Sequence, residues 1–216
     1  MSHPQALAPQ VNRIQQSVLT RAERRLLNWL CARLPRWITP DLLTSFALAA
    51  AGTIFLGSAL SNWNPAWLGL SVVGYFAHWF GDSLDGSLAR YRRIERPRYG
   101  YFIDHSCDGI ATLLILGGMG LSPYVRVDIA LFGLAAYLLL AVHTFLTAKV
   151  MGDFPLSHLG AGPTEMRVML IVLTVTMFAA GPAANVLPGF SGFDLFLGWL
   201  AAVLLLVFLV QTWRTG

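Results

Sequence analysis

Charge is what this chain has least of. Only 12% of its 216 residues are Asp, Glu, Lys or Arg, while 56% are hydrophobic. A soluble globular domain carries about 25% charged residues. So little charge cannot cover a water-facing surface, which makes lipid the solvent for most of the chain. Cysteine is also scarce. Cys31 and Cys107 are the two present, and both fall in segments read below as cytoplasmic, where a structural disulfide is not expected. Internal repeats and low-complexity segments are missing. Residues 1–20 are too polar for a secretory signal, and no cleavage pattern follows them. Nothing implies a nucleic-acid partner.

What is present is a series of long apolar runs. Six approach or exceed the length of a transmembrane helix: Pro40–Leu60, Ala66–Leu84, Phe102–Leu121, Val127–Val150, Thr164–Gly181 and Phe193–Gln211. No segment between them is long enough to fold alone. The expected fold is all-α, an integral membrane bundle of six transmembrane helices over residues 40–216. An N-terminal amphipathic juxtamembrane segment, 1–39, precedes it.

The few basic residues are unevenly placed. Arg13, Arg21, Arg24, Arg25, Arg33 and Arg36 precede the first span. Arg90, Arg92, Arg93, Arg96 and Arg98 lie between spans two and three, and Arg126 stands alone on the other side. The positive-inside rule puts both termini and the loops after spans two and four in the cytoplasm, in what reads as a bacterial inner membrane. Ile14, Val18, Ala22, Leu26, Leu30 and Leu34 recur every four residues, with Arg21, Glu23, Arg24 and Arg25 off that stripe. This predicts an amphipathic helix that lies on anionic lipid, packs on the bundle, or does both.

The charges that remain are concentrated in "DSLDGSLARYRRIERPRYGYFIDHSCD", Asp82 to Asp108. Asp82 and Asp85 are three apart, and Asp104 and Asp108 four apart. On helices each spacing sets two carboxylates on one face, and a short reversing turn makes the two helices neighbours. Each charge near mid-membrane costs about 2.5–3.5 kcal/mol on the translocon scale. Either some of the four are protonated or cations neutralise them. Hard oxygen ligands suit Mg²⁺, Mn²⁺ or Ca²⁺, and two such ions close together form a clamp for phosphoryl chemistry. The alternative is an ionic latch between the aspartates and the loop arginines. Gly86 and Ala89 favour the ligand reading because small residues let a ligand approach the backbone. Arg90 adds a fork for phosphate oxygens.

The order Asp82-x2-Asp85-Gly86-x2-Ala89-Arg90 … Gly100-x3-Asp104-x3-Asp108 resembles the signature of the CDP-alcohol phosphotransferases, class I. All eight signature positions stand in order. "WITPDLLTSF" is similar to that family's entry to its first membrane helix, with Asp41 where asparagine is common. The gap between Arg90 and Gly100 holds nine residues, longer than the family's usual eight or fewer. The resemblance implies a phospholipid-synthesis enzyme that transfers a substituted phosphate from a CDP-linked donor (CDP-diacylglycerol or a CDP-amino alcohol) to an alcohol or lipid acceptor, releasing CMP. It implies two divalent ions, Mg²⁺ or Mn²⁺, held by Asp82, Asp85, Asp104 and Asp108. It makes Asp108 the general base as well. Gly86, Ala89 and Arg90 would contact the CDP part, Gly100 would open the helix bearing Asp104, and the enzyme would be a homodimer. No covalent intermediate is required of Ser83, Ser87, Ser106 or Cys107.

Two other classes compete. A membrane prenyltransferase also binds diphosphate through aspartates and Mg²⁺, but with two separated acidic motifs rather than one cluster. A divalent-cation transporter would place its carboxylates along a pore, not beside arginines. Among the remaining residues, His105 stands at i+1 from Asp104, off the metal face. His78 orients Asp82 or simply packs, and His143 reads as a hydrogen-bonded core histidine. Glu165 and Arg167 either reach a substrate headgroup or belong to a helix start capped by Thr164. Trp63, Trp67, Trp199 and Trp213 read as interfacial anchors or lipid-facing bulk.

Overall fold

A computed structural model describes residues 13–14, 20–151, 154–155, 163–182 and 185–215. It contains seven α-helices: α1 (Thr20–Arg33), α2 (Pro40–Leu60), α3 (Leu68–Arg92), α4 (Pro97–Gly120), α5 (Val127–Met151), α6 (Pro163–Ala180) and α7 (Gly192–Thr215). The fold is all-α among the described residues, apart from two short strand pairings outside the helices, Arg13–Ile14 with Phe154–Pro155 and Asn185–Leu187 with Phe190–Ser191. Helices α2, α5 and α7 are long and apolar enough to cross a membrane by length and composition.

Local chemistry sets the ends. The Thr39 hydroxyl accepts from the Leu42 N–H at 3.2 Å, and Pro40 opens α2 where its missing N–H costs nothing. Helix α3 runs past Leu84 for two more turns. It stops where Arg93 turns left-handed at φ 57° and the Ile94 N–H reaches back to the Ala89 carbonyl at 3.0 Å. Helix α4 begins at Pro97, so Gly100 lies inside its first turn, in open space, rather than opening it.

Two apolar clusters organise the packing. The larger unites Ile54, Tyr75, Met119, Leu134, Met177 and Leu197 with neighbours from α2 through α7. The smaller gathers Leu27 and Cys31 of α1 with Leu43, Leu84 and Leu88. Helix α2 packs against both α3 and α4, which have little contact with each other. The expected direct seam between the aspartate-bearing helices is therefore a gap walled on one side by α2. The α2–α3 approach depends on missing side chains: a Cβ on Gly81 would lie 2.7 Å from the Leu43 carbonyl oxygen.

Helix α1 differs in register from the sequence pattern. Its buried face is Leu27 and Cys31, flanked by partly buried Leu30 and Leu34, while Leu26 is exposed. A four-residue repeat drifts by about 40° per step around a helix of 3.6 residues per turn, so the stripe slides off the packed face, which centres on Leu27 and Cys31. Ile14 pairs through its backbone with Pro155, and Val18 lies outside the described residues. Cys31 is 1% exposed, and burial pushes its thiol pKa up. Both cysteines are free.

Arg92 holds the end of α3 to a neighbouring connection. Its guanidinium donates to the carbonyls of Ile38 (2.5 Å), Pro35 (2.8 Å) and Leu34 (3.0 Å), with Arg36 at 3.4 Å. One side chain thus ties the end of α3 to the α1–α2 connection.

Candidate active site

Between the two apolar clusters lies a cavity lined by Thr44, Ala47 and Leu48 of α2, His78 and Asp82 of α3, and Asp104, Cys107, Asp108 and Ala111 of α4. Three of the four signature carboxylates meet there. The fourth, Asp85, is 9% exposed and accepts the Thr44 hydroxyl at 2.6 Å. It also accepts the N–H of Gly86. Thr44 is a site residue that the sequence did not reveal. Its signal was a hydroxyl one turn into α2, which has meaning only once α2 is known to wall the gap.

The cations are not arranged as the alternative ionic latch would have them. Asp82 pairs with Arg167 of α6, and both side chains are largely buried. The loop cation Arg96 instead pairs with Asp41 at the start of α2. Arg167 therefore touches the carboxylate cluster. Thr164 does not cap its helix: its hydroxyl donates to Glu23 of α1 at 2.9 Å. The same Glu23 oxygen accepts from the Trp79 indole N–H at 2.9 Å. Glu23 of α1 thus bonds both α3 and α6, the two helices that the Asp82–Arg167 pair joins directly.

His105 is nearer the carboxylates than its i+1 position suggested. Its Nδ1 lies 3.7 Å from Asp108 and 3.9 Å from Asp104, and its ring rests against Tyr101 and Phe145. Asp104, His105 and Asp108 form a group able to hold a metal ion. Asp82 and Asp85 are outside that group. Further along α3, the Arg90 guanidinium lies over Gly86, where an added Cβ would come within 3.3 Å of it, and it also donates to Ser87 at 3.3 Å. His143 is half-buried between α5 and α7, with Thr147 and Thr212 hydroxyls each 3.4 Å from its ring nitrogens.

The site is recessed. Asp82 lies ten residues before the end of α3, about 15 Å along a helix. Four carboxylates near one guanidinium leave a surplus of negative charge at that depth, which calls for cations.

A helical protein with apolar membrane-length helices and a partly buried cluster of carboxylates near an arginine belongs with membrane enzymes or carriers that handle anionic ligands. The sequence comparison narrows this. The CDP-alcohol phosphatidyltransferase model matches residues 37–211, and the chain belongs to that family. Among curated proteins, it is similar to Cholinephosphotransferase 1 of Danio rerio, 27% identical over 125 residues. That match covers 51% of this chain and 32% of the relative. It is also similar to Cholinephosphotransferase 1 of Gallus gallus, 31% identical over 130 residues, covering 53% of this chain and 38% of the relative. The matched stretches span about a third of the length of these relatives.

Proposed function

We propose that this protein transfers a substituted phosphate from a CDP-linked donor to an alcohol, with release of CMP, using two divalent ions, Mg²⁺ or Mn²⁺. The observation that carries this reading is the convergence of Asp82, Asp104 and Asp108 on one cavity, with Asp85 beside it on Thr44. The donor set fits the ions: carboxylate oxygens with one imidazole suit hard divalent cations. Asp82, Asp85, Asp104 and Asp108 are the proposed ligands, and bound ions would stabilise charge on the phosphates and on departing CMP. Gly86 and Ala89 let the CDP moiety approach α3, and Arg90 forks onto its phosphate oxygens. Asp108 takes the proton of the acceptor hydroxyl. The alcohol oxygen bonds to the distal phosphorus, the bond from that phosphorus to the CMP oxygen breaks, and the electron pair leaves on CMP.

The relatives' printed name, cholinephosphotransferase, favours a CDP-amino alcohol over CDP-diacylglycerol as donor, and the acceptor proposed with it is a lipid alcohol such as diacylglycerol. All six helices α2–α7 are taken to span the membrane as a 40–216 catalytic unit that forms a homodimer, with the basic loops cytoplasmic. Helix α1 lies along the membrane surface. Exposed Trp29 and Trp37 on and just after α1, with the Arg33 guanidinium 3.9 Å over the Trp29 ring, support that placement. The relatives are vertebrate and lend no support to a bacterial membrane.

The test is CMP release by purified protein in lipid, with CDP-choline or CDP-ethanolamine plus diacylglycerol against CDP-diacylglycerol plus small polyols. We expect turnover with the first pair, loss on chelation and recovery with Mg²⁺ or Mn²⁺. No CMP from any pair, or a full rate after rigorous chelation, sinks the reading.

A further inference from the structure

His78 is the polar group that this mechanism leaves unused. It lines the carboxylate cavity and is 6% exposed. Among the described residues, no hydrogen bond within the protein is recorded for its ring. A neutral imidazole carries one donor and one acceptor, and buried polar groups are rarely left without a partner. Asp82, Asp108 and Arg167 are near enough to act on it through charge, yet none is bonded to its ring, and Ala47, Leu48 and Ala111 of the same lining have no group to offer.

Position indicates what does. Along α3, Asp82, Asp85, Gly86 and Arg90 follow one another toward the charged end of the helix. His78 lies on the other side of Asp82, about 6 Å further from that end. The other walls agree in direction. Ala47 and Leu48 follow Thr44 along α2, and Ala111 follows Asp108 along α4. The floor of the cavity is thus apolar with one hydrogen-bonding group, and it faces the larger apolar cluster. A trimethylammonium group has no hydrogen-bonding atom to offer such a layer, and a nucleotide would leave most of its polar atoms unpaired there. A glycerol ester suits it: its carbonyl accepts one hydrogen bond and its chains prefer apolar walls.

We propose that His78 binds the glycerol-ester end of the acyl-bearing substrate, positioning it beneath the carboxylates. This rests on the functional reading above, which makes one substrate a lipid. That lipid is either the acceptor, diacylglycerol, or the donor, CDP-diacylglycerol, and the shared chemistry is the ester carbonyl.

The experiment compares wild type with His78→Phe, which keeps a ring without nitrogens, and His78→Gln, which restores a donor and an acceptor. Thermal shifts are read with dioctanoylglycerol, with CDP-dioctanoylglycerol and with CDP-choline, beside the KM of each substrate. We expect a roughly tenfold rise in KM for the acyl-bearing substrate in His78→Phe and loss of its thermal shift. Partial recovery is expected in His78→Gln, and the KM for the water-soluble substrate and the Mg²⁺ requirement should stay within twofold. A response to CDP-dioctanoylglycerol alone keeps the contact and assigns the acyl chains to the donor. Equal lipid shifts in wild type and His78→Phe overturn the proposal, as does a parallel rise in every KM. Wild type that releases no CMP fails the functional reading instead, and is scored separately. If His78→Phe does not purify folded, His78→Leu serves in its place.

Discussion

Removing the Arg92 guanidinium should loosen α1 without touching the donor site. Three of its hydrogen bonds are well formed, to Ile38, Pro35 and Leu34, while the contact to Arg36 at 3.4 Å is marginal. A net contribution of about 0.7–1 kcal/mol for each of the three bonds, below the middle of the usual range because the group is only partly buried, gives about 2–3 kcal/mol for Arg92→Ala. Arg92→Lys keeps the charge but loses the fork, so it should cost about half as much. Cys31 reports the opening. It is 1% exposed, and its thiol pKa is raised by burial and partly offset by Arg90 and Arg92. In a Cys107→Ser background, maleimide labelling of Cys31 requires α1 to lift from Leu43, Leu84 and Leu88. An opening free energy lower by about 2–3 kcal/mol raises the labelling rate by roughly 30–150-fold. Loss of Arg92 also removes a charge that favours the thiolate, which would slow labelling, so an acceleration can come only from opening. Donor KM should barely move, whereas Arg90→Lys should raise it and leave Cys31 protected. Labelling of Arg92→Ala within threefold of wild type would refute the clamp.

Asp108→Asn should lower kcat by about 10²–10⁴-fold, the usual contribution of a positioned base, while CDP-donor binding persists. Recovery at high Mg²⁺ in the CMP-release assay would make Asp108 purely a ligand. Gly81→Val should destabilise the protein by about 1–3 kcal/mol, because its Cβ would press on the Leu43 carbonyl at 2.7 Å and the Ala47 N at 2.9 Å. Backbone cannot yield as a side chain can, so wild-type thermal stability in that variant would contradict the close α2–α3 contact.

Helix existence was legible throughout, and α2 matched at both ends, because its apolar run coincides with a Thr-Pro start. Helices α3 and α4 extend beyond their apolar runs for a physical reason. Hydropathy ends where charge begins, at Asp82 or Phe102, but backbone hydrogen bonding continues until something stops it. The stop at Arg93 is a left-handed residue that is not glycine, so no composition signal marked it. The start at Pro97 did carry one. Facial pairing of Asp104 with Asp108 followed from helical spacing. What spacing could not supply was the third wall. Thr44 on Asp85, Arg167 on Asp82 and Arg92 on the α1–α2 turn each join residues more than forty positions apart.

Those long-range links bear on how a chain so poor in charge keeps four carboxylates within its helices. The cost of an ionised group away from water depends on what surrounds it, and this fold gives each wall of the cluster a different task. Thr44 takes one lone pair of Asp85, and Arg167 takes one oxygen of Asp82. Asp104 and Asp108 share the flank of His105. Arg167 can serve only if α6 stays at its distance from α3, and Glu23 bonds both helices through Trp79 and Thr164. Helix α1, which contributes nothing to the cavity lining, therefore sets the spacing of a seam that does. Its apolar face covers Leu84 and Leu88, the two α3 residues flanking Asp85 and Gly86. Amphipathic packing and carboxylate geometry are thus coupled in one chain of contacts, from Leu27 and Glu23 through α3 to Asp82. A variant that detaches α1 should perturb the metal requirement before it unfolds the bundle.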